Sequence, residues 1–230
     1  QGPLDGSLIM YLMNAVYFKG RWQDEFQPAA TRPRTFHAPG GDVQRPMMSR
    51  TGSYGYLQTD GVQGVRLPYR GGRFAMYVLL PPAGQPLERF RTALTADAWR
   101  NWVPQFQPRE VNVTIPRFRM SLESRLNDPL KAMGMEDAFS PANARFGAMV
   151  PANFLGRQNV FVGEARQKVF IEVNEEGTEA AAVTGIEMRT TSAPPPPTEF
   201  TADRPFVLVI RDDQTGALLF VGQVNDPVTE

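Results

Sequence analysis

The order of apolar and polar positions along the chain predicts a fold made mainly of short strands. Two pairs of apolar segments are each separated by a few turn-forming residues, a pattern typical of β-hairpins. The first pair is 65–69 with 74–80, and the second is 206–210 with 217–221. Both pairs are therefore predicted to form antiparallel hairpins.

Two further segments have the character of strands. Residues 111–115 alternate apolar and polar side chains and end at Pro116, which predicts a half-exposed strand. The apolar run 8–18 is too short to span a bilayer and predicts a buried central strand. A buried strand needs a neighbour on each side, and the sequence opens just before this one. We therefore expect the chain to be the C-terminal part of a longer protein.

Helical spacing of apolar residues is found only over 86–103 and 122–133, so two helices are predicted there. The sequence shows neither an internal repeat nor a shift of composition that would mark a boundary between domains. The expected architecture is mixed α+β and strand-dominated, with residues 1–230 in a single domain.

Composition removes several classes of function. Lys and Arg number 24, as do Asp and Glu, so the balanced charge gives no general attraction to nucleic acid or to an acidic membrane. Cysteine is absent, which excludes thiolate metal sites and cysteine nucleophiles within this sequence. His37 is the one histidine, and its surroundings predict a surface loop or the end of a strand. Asp212 and Asp213 are interpreted as turn residues. We expect neither an enzyme nor a metal or cofactor site.

The segment 175–199 is unusually long for a loop in a compact domain, which indicates function or disorder. Small or apolar residues alternate with charge-tolerant positions over 178–189, a period of two that is typical of a strand covered on one face. Pro194 to Pro197 follow, and consecutive prolines cannot join the interior of a sheet. The pattern describes an exposed loop that can become a strand.

Several motifs resemble those of the serpin family. The segment 175–182 (EEGTEAAA) resembles the hinge of inhibitory serpins. Further similarity is found in order from about residue 7 to residue 227, in the segments 14–22, 45–48, 115–118, 204–206 and 219–227. This resemblance implies the C-terminal portion of a serpin fold, which lacks the N-terminal helical block of the family.

The resemblance implies a suicide inhibitor of serine proteases. A target protease would attack the reactive-centre loop within 175–199 and form an acyl-enzyme, and the cut loop would then insert into the main sheet. Loop insertion is a general mode of the family rather than something read from this sequence. The alternative is a serpin without inhibitory activity, a carrier or a chaperone-like binding protein. The alanine run also permits a short helix in the uncut loop.

The resemblance assigns residues to the hinge and to the bond that is cut. The bond Thr191–Ser192 is the preferred scissile bond, with Arg189–Thr190 as the alternative and Met188 as a third option. The hinge residues are Glu175, Gly177, Thr178, Ala180, Ala181 and Ala182.

Four residues are similar to those around the point where the family's main sheet opens: Asn14, Gln167, Trp22 and Arg117. Asn14 and Gln167 are expected to face each other on neighbouring strands. Glu175 is expected to pair with Arg117, and an exposed pair of this kind is worth about 0–1 kcal/mol.

The expected partner is a target serine protease held in a covalent acyl complex. Elastase-like or subtilisin-like enzymes are favoured by Thr191, and a trypsin-like enzyme would be implied by Arg189. No nucleic acid, membrane or cofactor is expected to bind, and the protein is expected to be a monomer. Compartment is not fixed by the sequence, although the resemblance favours secretion.

Overall fold

A computed structural model describes residues 10–149, 159–177 and 196–228. The helices are α1 (Leu87–Ala93), α2 (Ala96–Trp102) and α3 (Asn127–Ala132), with 3-10 turns at Pro28–Ala30, Val103–Gln105, Asp137–Phe139 and Gly147–Met149. The strands are β1 (Met10–Tyr17), β2 (Arg32–Ala38), β3 (Gly41–Thr59), β4 (Val62–Pro68), β5 (Phe74–Leu80), β6 (Gln107–Pro116), β7 (Phe118–Arg125), β8 (Val162–Val173), β9 (Thr198–Thr201), β10 (Phe206–Asp212) and β11 (Leu218–Val224). The predicted strand-dominated, mixed α+β architecture is confirmed.

The chain forms two compact units. The first unit is built from two stretches of the chain, the residues up to Phe18 and Met120–Ile171. The second unit is built from Lys19–Arg119 and the residues from Glu172 onward. The single domain over 1–230 stays a prediction.

The first unit contains a three-stranded sheet in the order β1-β8-β7, with β1 parallel to β8. Phe139, Val162 and Ala165 form its buried apolar cluster. Asn127 at the start of α3 is also buried. Its side-chain amide donates to the Gly163 carbonyl at 3.0 Å and accepts from the Ala165 N–H at 2.9 Å. These bonds satisfy a polar side chain that would otherwise destabilise the interior.

The prediction of a buried central strand over 8–18 is wrong for the described residues. Among the described residues, β1 pairs with β8 alone and forms one edge of the three-stranded sheet. Several of its apolar side chains are open to solvent, with Leu12 42%, Met13 79% and Tyr17 49% exposed. Burial depends on what covers a strand, and periodicity does not report that.

The second unit is organised around a large sheet in the order β11-β10-β5-β4-β3-β6-β9, and β2 pairs with β3. Both predicted hairpins are confirmed, since β4 pairs antiparallel with β5 and β10 pairs antiparallel with β11. The 19-residue strand β3 pairs with β2, β6 and β4 along successive parts of its length.

Thr114 on β6 corrects the expectation of a half-exposed strand. Its side chain is fully buried, and its hydroxyl lies 2.9 Å from the Ser49 hydroxyl on β3. A hydroxyl can be buried at little cost when it has a partner. The alternation of apolar and polar residues along 111–115 therefore did not report exposure.

Both predicted helices are shorter than their apolar patterns. The pattern over 86–103 is divided into α1 and α2, because the Thr95 hydroxyl accepts the Ala98 N–H at 3.1 Å and caps a new helix. Residues 122–125 belong to β7 rather than to a helix, since 118–125 also alternates with a period of two and pairs with β8. None of the helices in the described ranges has both the length and the apolar content needed to cross a membrane.

An ionic network holds the turn between β10 and β11 against β4 and β5. The Asp213 carboxylate accepts hydrogen bonds from Arg66 at 2.6 Å, Tyr77 at 2.8 Å and Arg211 at 2.5 Å. Asp212 accepts from Arg73 at 2.8 Å. Asp213 is a turn residue, as predicted, whereas Asp212 is the last residue of β10, and both stabilise the large sheet.

Asp212→Asn is expected to remove the negative charge at this position while keeping the hydrogen bonds that the side-chain oxygen accepts from the turn. The bonds from Arg73 lower the pKa of the buried Asp212 carboxyl to about 2, so its stabilisation is present above the ordinary pKa and is lost as pH falls toward 2. An amide oxygen still accepts the N–H groups of Gln214 and Thr215, which bond to Asp212 Oδ1 at 3.0 and 3.3 Å. The variant should therefore be less stable than the wild type at neutral pH, and the difference should shrink below about pH 4 in urea unfolding series. A difference independent of pH would contradict this role for the charge.

Candidate functional site

The strand β8 ends in a tight turn, Asn174 to Gly177, which we call the hinge turn. The Asn174 side-chain oxygen accepts the N–H groups of Glu176 at 3.1 Å and Gly177 at 3.2 Å. The backbone closes the turn, because the Asn174 N–H donates to the Gly177 carbonyl at 3.0 Å and the Gly177 N–H donates to the Asn174 carbonyl at 3.3 Å. The chain thus reverses direction immediately after β8.

Gly177 lies where no other residue fits without displacement. Its φ is +128°, and a Cβ built there would lie 2.3 Å from the Gly20 carbonyl oxygen and 2.6 Å from the Trp22 nitrogen. Gly177 forms antiparallel bridges with Asn174, which follows β8, and with Arg21, which lies four residues after the end of β1. The glycine that the sequence assigned to a bend therefore also permits a close backbone approach.

Trp22 holds the hinge turn through two hydrogen bonds. Its backbone N–H donates to the Glu176 carbonyl at 3.0 Å, and its indole N–H donates to the Asn174 carbonyl at 2.9 Å. The indole is 1% exposed and stacks on the Tyr69 ring with centroids 4.6 Å apart. Trp22 is thereby a rigid anchor for two of the four carbonyls of the turn.

Glu175 is anchored by three contacts of different kinds. Its carboxylate accepts the Thr31 hydroxyl at 2.7 Å and lies 3.6 Å from the Arg117 guanidinium, and its carbonyl accepts the Phe26 N–H at 2.8 Å. The predicted ion pair with Arg117 is present. The carboxylate is buried rather than exposed, which corrects the expectation of an exposed pair, because Glu175 is only 8% exposed while Arg117 remains half-exposed.

Thr31→Val is expected to lower the free energy of unfolding by about 1–3 kcal/mol, because the buried Glu175 carboxylate loses a donor while the side-chain volume is kept. Thr51→Val is the matched control, since that hydroxyl has only an exposed 3.4 Å contact, and a change within about 0.5 kcal/mol is expected. Urea unfolding of the full-length protein measures both. Equal losses in the two variants would show that the Thr31 bond does not hold the hinge.

Asn14 and Gln167 are paired in register across β1 and β8, as the sequence analysis expected of neighbours on adjoining strands. Asn14 is exposed and Gln167 is half-buried. Their role in opening a sheet stays a prediction. The structure brings together Glu175, Gly177, Trp22 and Arg117 in the second unit.

The remaining predicted loop residues lie outside the described residues. These are the hinge residues Thr178, Ala180, Ala181 and Ala182 and the candidates for the scissile bond, Met188, Arg189, Thr190, Thr191 and Ser192.

Three contacts of the hinge turn were not found from the sequence. Thr31 and Phe26 lie about 150 positions from Glu175 along the chain, so no local pattern links them to it. Asn174 did carry a signal, because an Asn three residues before a Gly is typical of a side-chain-capped turn.

His37 lies near the end of β2 and is exposed, as predicted. Asp42 on β3 raises its pKa, chiefly through the 2.7 Å hydrogen bond between the two side chains. Within the described part of the chain, His, Asp and Glu side chains form no group of three or more that could hold a metal ion.

Comparison with known proteins identifies the class to which this fold and hinge belong. The family model of serpins, described as serine protease inhibitors, matches residues 1–227. An uncharacterised serpin-like protein of Thermococcus kodakarensis is 37% identical over 95% of this chain and 50% of its own length, and sheep antithrombin-III is 34% identical over 97% of this chain and 48% of its own. The crystal structure of human thyroxine-binding globulin in complex with thyroxine has a TM-score of 0.83 at 27% identity, and the match covers 99% of this chain and 59% of that one.

The chain belongs to the serpin family. It spans about half the length of the relatives that it matches. Most members of this family inhibit proteases and are not catalytic enzymes, whereas others, thyroxine-binding globulin among them, are not inhibitors.

Proposed function

We propose that the protein containing this chain inhibits serine proteases as a suicide substrate. The observation that carries the proposal is the clamped hinge turn, in which Gly177 bridges both Asn174 and Arg21. Gly177 itself is bridged antiparallel to Asn174, which follows β8, and to Arg21, which lies after the end of β1. A clamp of this kind fixes where a severed loop begins its insertion.

The strand pairing supports the direction of that insertion. β1 and β8 are parallel neighbours from Met10–Val162 to Tyr17–Phe170. A segment that continues from the hinge turn and enters between them would run antiparallel to both and gain hydrogen bonds along two edges. At about 1 kcal/mol net for each bond, a dozen residues would gain on the order of ten to twenty kcal/mol before the cost of ordering and of the β1–β8 bonds that insertion breaks. That gain is comparable with the whole stability of an ordinary domain.

The residues around the hinge favour rapid insertion. Ala180, Ala181 and Ala182 add little bulk, so they would pass between strands more readily than large or charged side chains. An acyl-enzyme formed at Thr191 would be carried along before water releases it. Cleavage after Thr191 would suit the small pockets of elastase-like or subtilisin-like enzymes. Cleavage after Arg189 would instead suit a trypsin-like enzyme.

A carrier function is the second candidate, because the fold of thyroxine-binding globulin is similar. The small residues at 180–182 argue against it, since a protein with no need for insertion is under no constraint to keep them small.

The full-length protein, incubated with a panel of serine proteases, tests the proposal. The expected product is a covalent complex that survives SDS, together with a released C-terminal peptide whose mass defines the scissile bond. Cleavage of the loop by several proteases without any complex would instead favour the carrier.

A further inference from the structure

A cleft of about 410 Å³ lies in the second unit, away from the hinge turn. Its walls come from the end of β2, the link from β5 to α1, the residues before β10 and the end of β11. The volume is within the range of small-molecule sites. The apolar part of its lining is rigid, because it consists mainly of prolines: Pro39, Pro81, Pro86, Leu87 and Pro205.

Two basic side chains line this cleft, while their acidic partners do not. His37 is held by Asp42 at 2.7 Å, and Arg204 lies 3.3 Å from Asp203. Arg204 also donates to the Pro81 carbonyl at 3.2 Å, which fixes its guanidinium at the wall. The lining includes His37 and Arg204 but neither aspartate. Both bases therefore line the cleft while each remains in contact with its own aspartate.

Glu88 is the one carboxylate in the lining, and it is paired with Arg91, as each base of the lining is paired with an aspartate. Both of its oxygens accept hydrogen bonds from Arg91, which lower the pKa of the Glu88 carboxyl. Gln223 contributes a neutral amide on the β11 side. The lining thus combines two basic side chains with rigid apolar walls.

We propose that this cleft binds small aromatic monocarboxylates, with the carboxylate at His37 and Arg204 and the ring among the prolines. Such a ligand matches each part of the lining: its charge meets the two bases, and its planar apolar body meets flat pyrrolidine rings. This function is independent of protease inhibition and does not require the loop.

Indole-3-acetate is the probe for the full-length protein, with indole-3-acetamide as its uncharged analogue. Calorimetry should show saturable binding of the acetate with a dissociation constant of about 1 mM or below, and weaker binding of the amide. The His37 ring resonance, identified by its loss in His37→Gln, should shift in proportion to the acetate that is bound. Equal binding of the two probes, or binding that leaves His37 unmoved, would overturn the proposal.

Substitutions at Gln223 locate the site without removing a structural residue. Gln223→Glu places a second negative charge beside the ligand and should weaken acetate binding about fivefold or more, whereas Gln223→Lys should strengthen it. Gln105→Glu, an exposed glutamine outside the lining, is the matched control and should have no effect. If Gln223→Glu and Gln105→Glu bind acetate alike, the ligand does not occupy this cleft.

Discussion

On the proposed mechanism, Thr178→Arg is expected to make the full-length protein a substrate of the protease that the wild type would trap. Thr178 directly follows the clamped glycine and would be the first residue to enter the sheet, on the face that the alternating pattern of 178–189 predicts to be covered. Burying an unpaired guanidinium costs several kcal/mol, and each 1.4 kcal/mol slows a step about tenfold. Insertion should therefore slow by about a hundredfold, which lets water release the acyl-enzyme first.

The measurement is the fraction of cleaved protein that is recovered as covalent complex with the protease. Glu179→Arg is the matched control, because Glu179 lies on the alternate, charge-tolerant face and should keep its trapping efficiency. Loss of the complex in Thr178→Arg alone is the expected result. Efficient trapping by Thr178→Arg, or equal loss in both variants, would show that the alternating pattern does not describe an inserting strand.

Gly177→Ala is expected to destabilise the hinge turn by about 2–5 kcal/mol. The added methyl would lie 2.3 Å from the Gly20 carbonyl oxygen and within 2.6 Å of Arg21 Cα, and neither backbone atom can swing aside as a side chain would. The positive φ adds strain of its own. Trp22 reports the change directly, since it bonds to the Asn174 and Glu176 carbonyls, and its fluorescence should alter in the folded state.

Gly71→Ala separates the two sources of strain. Gly71 also has a positive φ, +86°, but nothing lies within 4 Å of a Cβ at that position. The Gly71→Ala variant should lose only about 1 kcal/mol of its free energy of unfolding, which is the cost of the backbone conformation. If urea unfolding shows the same loss of stability in both variants, the close backbone approach at Gly177 does not contribute to the cost of the substitution.

The hairpins were predictable because their signals are local. Gly71 and Gly216 lie in the turns that the sequence marked, and both have a positive φ in the structure. The hinge glycine was identified by its motif, and its conformation agrees with the assigned bend. The motif did not show why a larger residue at Gly177 would clash. The reason is the backbone of Gly20–Trp22, which lies where a Cβ would be.

The failures share one physical cause, which is dependence on distant neighbours. Leu122 fits a helical face and a period-two strand equally well, and pairing with β8 decides in favour of the strand. Thr114 has a polar side chain in an alternating pattern, yet the Ser49 hydroxyl allows it to be buried. The Thr31 hydroxyl that holds Glu175 lies 144 positions earlier in the chain. A pattern read over neighbouring residues cannot reveal such a contact.

The thermal stability of the cleaved protein tests the central claim, that energy is held back in the uncut loop, most directly. The full-length protein is cut once within 189–192 by a protease that it does not trap, and the unfolding of cut and uncut forms is followed by circular dichroism. We predict a midpoint higher by about 10 °C or more for the cut form, because the severed segment becomes a strand of the sheet. Identical midpoints would contradict the account, since they would mean that severing the loop releases nothing.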